Sequence, residues 1–147
     1  MTAPPGAAQP PTAQRPLPLL TPSTISFWTG GANGRLLIQR CQACGFWIHP
    51  PVGFCPSCES RDTAPEPASG RGTVVSCTVN HQAWQPGMPV PYVLALVQLD
   101  EQDDVRLPTN IVNCDVDDVR IGMRVKVLFE QHEDIWLPLF EPEDRPQ

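Results

Sequence analysis

Four cysteines in the stretch CQACGFWIHPPVGFCPSC are the residues of this sequence best suited to chemistry. They form two Cys-x-x-Cys pairs, Cys41 with Cys44 and Cys55 with Cys58, separated by ten residues. Two such loops commonly supply four thiolates to Zn²⁺ in a tetrahedral site. Gly45 permits the positive φ that this kind of turn needs. The spacing predicts a structural zinc site, because four sulfur ligands leave no open position for water.

The ligand set alone leaves a second metal open. Tetrahedral sulfur sites hold zinc or iron, and an iron site of the rubredoxin type would transfer electrons instead of supporting the fold. The other two cysteines, Cys77 and Cys114, fall in predicted strands without a partner at ligand spacing. We interpret them as buried thiols, because a nucleophilic cysteine needs a base beside it in a polar cleft.

A helix and a strand precede the first cysteine pair and should position it. TPSTISFWTGGANG predicts a short helix with Ser23 or Thr24 as N-cap, ended by its glycines. RLLIQR predicts a strand that leads into Cys41, and residues 59–70, ESRDTAPEPASG, predict a linker-like turn region.

Two aromatic residues on the short helix, Phe27 and Trp28, form a large apolar anchor. The pair either packs on its own domain or docks on a partner protein. We name both residues as candidates for partner docking.

From residue 71 onward apolar residues recur with period two, which predicts strands. In MRVKVLFEQ, Met123, Val125, Val127 and Phe129 share one face, whereas PYVLALVQLD is apolar on both faces, as in a central, doubly covered strand. The acidic run DEQDD predicts a solvated hairpin tip. The five predicted strands are GTVVSCTVNH, PYVLALVQLD, VRLPTNIVNCD, MRVKVLFEQ and DIWLPLFEP.

Five short strands, with one helical turn between the third and the fourth, suit a small closed barrel of the oligonucleotide/oligosaccharide-binding (OB) type. An SH3-like barrel is the main rival, and Pro108 implies a sheet edge or a bulge. The predicted fold is mainly β. Its predicted parts are a disordered Pro-rich tail (1–20), a helix and ribbon (21–69), a barrel (70–142) and a short tail (143–147).

The sequence shows no targeting or membrane signal. Its start lacks a basic segment followed by an unbroken apolar run, and its longest apolar runs are only a few residues. We therefore expect a cytoplasmic protein with no membrane partner, a setting in which cysteines bind metals more often than they form disulfides.

The charge balance argues against a nucleic-acid partner. The chain carries a net charge of −6, and residues 70–140 hold five basic and ten acidic residues. Phosphate binding depends on Lys and Arg, and single-strand binding adds stacked aromatics in a basic groove.

No catalytic motif stands out either. The sequence contains no Gly-x-Ser-x-Gly, no phosphate loop and no His-Glu-x-x-His. A binding role therefore fits the residues better than catalysis by the chain alone.

The order of the motifs resembles one known family. FW, RLLIQRC, CxxCG, HPP and CPxC are followed by GxVxSxTVxH, PYVLALVQLDE, TNIV, IGMRVKVLFE and LPLFEP, over roughly residues 22–142. This succession is similar to the bacterial and archaeal proteins that join a rubredoxin-like zinc ribbon to a C-terminal OB fold, formerly a domain of unknown function.

The resemblance implies a non-catalytic accessory subunit. Family members partner thiolase-superfamily enzymes that act on acyl-CoA thioesters, including the sterol-carrier-type aldolases of steroid side-chain breakdown. For this chain the resemblance implies structural Zn²⁺, a thiolase-like aldolase or thiolase as partner in an α₂β₂ assembly, and acyl-CoA as ligand of the complex. A nucleic-acid-binding module and a rubredoxin-like electron carrier remain the alternatives.

One loop suits contact with the substrate in such a complex. NHQAWQPGMPVPY joins two predicted strands and holds His81, Trp84, Met88 and Tyr92 among prolines. Aromatic rings and a thioether suit a pantetheine arm or an apolar acyl group. We name these four residues as substrate or CoA-channel candidates, with a loop packed on its own barrel as the alternative.

Overall fold

The computed structural model describes residues 15–144, which form a small three-stranded sheet followed by a five-stranded barrel. Most of the predicted N-terminal tail, and residues 145–147, lie outside the described residues. From Arg15 to Leu20 the chain has no regular structure. Arg15 pairs with Glu130 at 2.7 Å and donates to Asn110 Oδ1 at 2.5 Å, so this segment begins against the barrel.

The first helix, α1, covers Ile25–Thr29 and continues into a 3₁₀ turn over Gly30–Asn33. Thr24 occupies the N-cap position, but its hydroxyl accepts the amide N–H of Thr21 and not an amide of the helix. The 3₁₀ turn requires glycine at residue 31, because a Cβ there would lie only 2.6 Å from atoms of Phe129 and Trp136. The glycines thus let the end of α1 lie directly on the barrel.

The three-stranded sheet carries the cysteine loops. Its strands are β1 (Leu36–Cys41), β2 (Trp47–Ile48) and β3 (Thr63–Ala68), in the order β2-β1-β3 with antiparallel pairing. β3 lies in the segment we expected to be a linker, so that expectation is wrong. Its Pro65 and Pro67 oppose Gln39 and Leu37 of β1. Prolines are tolerated there because β3 is an edge strand, where a missing N–H costs no ladder hydrogen bond on the open side.

The barrel strands follow the period-two pattern of the sequence. They are β4 (Arg71–Asn80), β5 (Tyr92–Leu99), β6 (Arg106–Ile111), β7 (Arg124–His132) and β8 (Ile135–Pro142). They close in the order β4-β5-β6-β8-β7, with one 3₁₀ turn over Val116–Asp118 between β6 and β7. The predicted mainly β fold, with an OB-type barrel of five strands, is confirmed.

The barrel has one weak seam, between β6 and β8. These parallel strands share a single register pair, Ile111 with Phe140. Pro108 and Pro138 offer no N–H to this seam, and the Thr109 hydroxyl bridges it by donating to the Pro138 carbonyl at 3.1 Å. The edge position predicted from Pro108 therefore marks where the strands separate.

β5 is central, between β4 and β6, as its sequence predicts. Its outer face is not fully covered, however, because Leu94 is 47% exposed. Apolar residues on both faces indicated a doubly covered strand, and that part of the prediction is wrong for this chain. The exposed side of Leu94 faces the groove described below.

One apolar core joins the sheet to the barrel. Leu36, Ile38 and Trp47 belong to the same buried cluster as Val125 and Phe140 of the barrel. Val125 is fully buried, and Met123, Val127 and Phe129 pack on the cluster, as the alternation in β7 predicts. The two parts therefore share their buried surface.

The tip between β5 and β6 is more than a solvated turn. The Gln102 side chain accepts the Trp47 N–H at 3.0 Å and donates to the Trp47 carbonyl at 2.8 Å. Glu101 accepts the Ser69 amide at 2.5 Å. The tip thus ties β2 to the barrel, which composition alone could not reveal because an acidic run is usually solvated.

Candidate functional site: a four-cysteine metal centre and an apolar groove

The four predicted ligands converge. Cys41 ends β1 and Cys44 follows it, while Cys55 and Cys58 lie in the loop between β2 and β3. Their sulfur atoms lie within 4.8 Å of one another, with Sγ–Sγ distances of 3.5 Å from Cys41 to Cys58 and 3.6 Å from Cys44 to Cys55. Zinc–sulfur bonds of about 2.3 Å place tetrahedral sulfurs roughly 3.8 Å apart. The sulfurs therefore fit one tetrahedral ion.

The two cysteine loops have the same backbone design. The residue after each second cysteine has a positive φ, Gly45 at 82° and Glu59 at 67°. Its amide donates to the carbonyl of the first cysteine of its loop, at 3.0 Å and 2.8 Å respectively. In addition, the Cys44 N–H points at Cys41 Sγ at 3.4 Å. The Ser57 N–H likewise points at Cys55 Sγ at 3.3 Å. These two sulfur-directed amides stabilise negative charge on sulfur, as a thiolate ligand requires.

The thiols perturb one another strongly. The backbone N–H of Cys44 lowers the pKa of Cys41 to about 6. At Cys58 the amide of Ser60 lowers the pKa, but hydrogen bonds with the neighbouring cysteine sulfurs outweigh it and raise the pKa to about 12. Four thiolates this close need a cation between them. Zn²⁺ would cross-link the two loops, and Cys41, Cys44, Cys55 and Cys58 would hold it.

No other cluster of three or more His, Cys, Asp or Glu side chains within residues 15–144 is arranged to hold a metal. His49 instead packs beside Phe27, with ring centroids 5.1 Å apart. Burial lowers the pKa of His49 to about 4. This histidine is therefore neutral at pH 7 and belongs to the wall of the groove.

An apolar groove of about 660 Å³ lies over the β6–β8 seam. One wall comes from α1 and from the His49-Pro50-Pro51 segment of the sheet domain, and the other from the loop before β5. Its floor consists of residues from β6 and β8. Cavities of this size and lining are typical of binding sites for small molecules or apolar side chains.

The groove brings together residues that the sequence placed in two separate groups. The docking candidates Phe27 and Trp28 line it, and so do the substrate candidates Met88 and Tyr92. The other two substrate candidates, His81 and Trp84, do not line it. Both are exposed, and Trp84 is 71% exposed.

Sequence reasoning missed the floor of the groove. Leu107, Asn110, Leu137 and Leu139 come from strands whose alternation signals only a barrel. The available signal was the proline in each of these two strands, because proline marks an edge where a sheet opens.

Several basic side chains on the barrel are already paired. Arg124 donates to both carboxylate oxygens of Asp100 at 2.6 Å and to Glu143 at 3.2 Å, and Arg71 also pairs with Glu143. The hydrogen bond from Arg124 lowers the pKa of Asp100. These pairs occupy two of the five Lys and Arg side chains between residues 70 and 140, where ten acidic residues outnumber them.

The two cysteines outside the metal centre are partly buried against the core. Burial raises the pKa of Cys114, so that its thiol stays protonated at neutral pH. The prediction that it is an inert packed thiol fits this environment.

Over the described residues, no helix has the length and apolar character needed to cross a membrane. The longest α-helix among them, α1, has five residues.

Both the sheet region and the barrel of this chain match known protein-family models. Residues 28–64 match the family model described as the ChsH2 rubredoxin-like zinc ribbon domain, and residues 65–130 match that of the ChsH2 C-terminal OB-fold domain. The solved Ltp2-ChsH2(DUF35) aldolase is similar with a TM-score of 0.77 and 37% identity, over 86% of this chain and 98% of that chain.

Two kinds of curated relative are similar in sequence. A 3-oxo-4,17-pregnadiene-20-carboxyl-CoA hydratase alpha subunit of Mycobacterium tuberculosis is 38% identical over 82% of this chain and 38% of its own length. A DUF35 domain-containing scaffold protein of Methanocaldococcus jannaschii is 35% identical over 65% of this chain and 68% of its own length. The chain spans about two fifths of the length of the curated hydratase subunits that it matches.

The zinc-ribbon match covers the cysteine cluster, and the OB-fold match covers most of the barrel that follows it. The chain therefore belongs to the DUF35 family, in its ChsH2-type form with a rubredoxin-like zinc ribbon followed by an OB fold.

Proposed function

We propose that this chain is a non-catalytic accessory subunit that docks on a thiolase-superfamily acyl-CoA enzyme and completes it. The enzyme would be an aldolase or a thiolase of lipid or steroid side-chain catabolism. Relatives named as a scaffold protein, as a hydratase alpha subunit and as part of an aldolase support this class of role.

The observation that carries the proposal is the shared groove. Phe27 and Trp28 of α1 line one apolar groove together with Met88 of the loop before β5 and Tyr92 at the start of β5. A surface rich in aromatic and Met side chains is typical of the buried core of a protein interface. The hydrogen bonds of residues 15–144 include no Ser–His or Cys–His pair that could activate a nucleophile.

The metal would support this surface from a distance. Zn²⁺ bound by the four cysteines cross-links the loops that flank β2, and β2 leads directly into His49 and Pro50 of the groove wall. Structural zinc stabilises small folds outright, because a preformed site is lost when the chain unfolds. The metal therefore fixes one wall of the docking surface and takes no part in the chemistry of the partner.

Acyl-CoA would be a ligand of the complex more than of this chain alone. The Met88 and Tyr92 side of the groove suits the pantetheine arm or the apolar acyl group. Arg124 and Arg71 are paired with carboxylates of this chain, so neither is a free ligand for the CoA phosphates. An α₂β₂ assembly follows if the partner is a two-fold dimer with one copy of this chain on each subunit.

A pull-down from the native host tests the proposal. The chain is tagged at its N-terminus and the recovered proteins are identified by mass spectrometry, with stoichiometry from light scattering. We expect a thiolase-superfamily enzyme in a one-to-one ratio whose acyl-CoA turnover falls when this chain is withheld. Recovery of the chain alone, with nucleic acid, or with an enzyme whose turnover is unchanged would contradict it.

The groove can be tested in the same assay. A Phe27→Ser, Trp28→Ser double variant should retain its metal and lose the partner, because both rings line the groove. Ile121→Ala is the matched control, since Ile121 is 70% exposed and does not line the groove. Equal recovery by the double variant and the control would place docking elsewhere.

A further inference from the structure

Beyond Arg71, its first residue, the hairpin formed by β4 and β5 carries no Lys, Arg, Asp or Glu. None of the ten basic and sixteen acidic residues of the chain falls between residues 72 and 99. The connecting loop, residues 81–91, presents Trp84 at 71% exposure and Val90 at 40%, and Leu94 follows at 47%. Charge depletion with exposed aromatic and aliphatic side chains characterises the core of a protein interface.

Trp84 is held in place although it is exposed. Its indole Nε1–H donates to Asn80 Oδ1 at 3.3 Å. Asn80 also donates to the Gln82 carbonyl at 2.9 Å, and the Gln82 N–H points back at Asn80 Oδ1 at 3.4 Å. Asn80 is the last residue of β4 and pairs with Tyr92 of β5, so the acceptor of the indole N–H lies at the end of a paired strand.

The hydrogen bond between Trp84 and Asn80 affects which environments the indole ring can enter. A buried tryptophan normally needs an acceptor for its N–H, and an unpaired buried donor costs about 1–3 kcal/mol. The acceptor here is Asn80 of the same hairpin. The indole can therefore enter a wholly apolar pocket without leaving its donor unpaired.

We propose that Trp84 is an anchor residue that inserts into an apolar pocket on the partner enzyme, with Asn80 as the positioning residue that presents it. The inference rests on the proposed function and adds a second contact beside the groove. Leu94 lies on the same hairpin and also lines the groove, so the two contacts are continuous. A ring that is 71% exposed and outside the groove has no walls of this chain with which to enclose an acyl-CoA arm.

The test uses the thiolase-superfamily enzyme recovered by the pull-down, purified and immobilised, with binding of the intact chain followed by interferometry. Trp84→Ala should raise the Kd by roughly 30-fold or more, as for an aromatic hot spot. Trp84→Phe keeps a ring and should cost much less. Ile121→Ala serves as control because Ile121 is also highly exposed, at 70%, but lies far from Asn80. Its neighbour Gly122 donates a hydrogen bond to Val74, near the other end of β4.

A double-mutant cycle separates the positioning role from general disorder of the loop. Asn80→Ala should weaken binding about tenfold in the wild-type chain, because it leaves the indole N–H unpaired on burial. In the Trp84→Phe background the same change should cost less than about threefold, since no N–H remains to be satisfied. Equal effects in both backgrounds would overturn the positioning role.

Each outcome has a distinct meaning. An unchanged Kd for Trp84→Ala overturns the anchor while the proposed function stands, and reduced acyl-CoA turnover in that variant would place the ring at the substrate instead. If the wild-type chain binds no such enzyme, both the anchor and the proposed function fail. Equal unfolding temperatures and metal contents exclude misfolding as the cause.

Discussion

At the scale of single residues, spacing predicted chemistry well where the chemistry is local. The two Cys-x-x-Cys pairs predicted a metal centre, and the structure brings their four sulfurs together. The burial of a side chain cannot be predicted from local spacing in the same way. His49 lies only five residues from Cys44, yet it packs on Phe27 outside the metal shell. Ligand spacing constrains a few atoms, whereas burial depends on distant parts of the chain.

The metal centre can be tested with one substitution. Cys44→Ser should lower metal affinity by at least a hundredfold and unfold the cysteine loops, because binding and folding are coupled in such sites. Metal content and far-UV circular dichroism check this. Cys77→Ser is the matched control, since Cys77 is a partly buried thiol outside the cluster. A metal stoichiometry of one in the Cys44 variant would refute the four-cysteine site, and a red colour in the wild type would indicate iron in place of zinc.

His49 predicts a pH dependence. Its pKa is about 6.5 in the unfolded chain and about 4 in the fold, where burial disfavours the charged ring. Between these values only the unfolded state takes up the proton, so stability falls as the pH falls. From pH 7 to pH 5 the wild type should lose about 2 kcal/mol more than His49→Gln. Urea unfolding at both pH values measures this, and parallel losses in the two proteins would show that His49 is not the titrating group.

At the scale of elements, the period-two pattern predicted the barrel strands but not every partner. Alternation defines a strand within a segment, and pairing between segments is decided by the rest of the fold. β3 is an example: its Pro65 and Pro67 are typical of a linker, yet both lie in an edge strand that pairs with β1. The β5–β6 tip shows it again, because Gln102 has no local reason to bond to the backbone of β2.

Gln102 provides a test at this scale. Gln102→Ala should destabilise the protein by about 2 kcal/mol, because it leaves the N–H and the carbonyl of nearly buried Trp47 without their partner. Asp103→Ala at the same tip should cost less than about 0.5 kcal/mol, since Asp103 is exposed. Denaturant unfolding of the two variants gives the comparison. Similar stabilities would mean that water replaces the Gln102 side chain without loss.

At the scale of the whole molecule, the sheet and the barrel share one apolar core. Leu36, Ile38 and Trp47 of the sheet pack into the same core as Val125 and Phe140 of the barrel. The Gln102 side chain adds two hydrogen bonds between the β5–β6 tip and the backbone of Trp47.

This unity predicts how metal removal spreads. A chelator should lower the unfolding temperature of the entire molecule and reduce amide protection in β4 and β5 as well as in β1, because the core is shared. Calorimetry and hydrogen exchange with and without chelator measure both effects. Two separate transitions, with barrel protection unchanged, would show that the parts unfold independently.

The sequence by itself determined which four cysteines cluster, the mainly β class, the five barrel strands and the net negative charge. Each of these depends on residue type, local spacing or summed charge. Only the tertiary structure decided that Phe27 and Trp28 share a groove with Met88 and Tyr92, and that Trp84 stands outside it. These residues come from distant segments that lie close together over the β6–β8 seam. The packing of the whole chain decides that proximity, and no local sequence pattern predicts it.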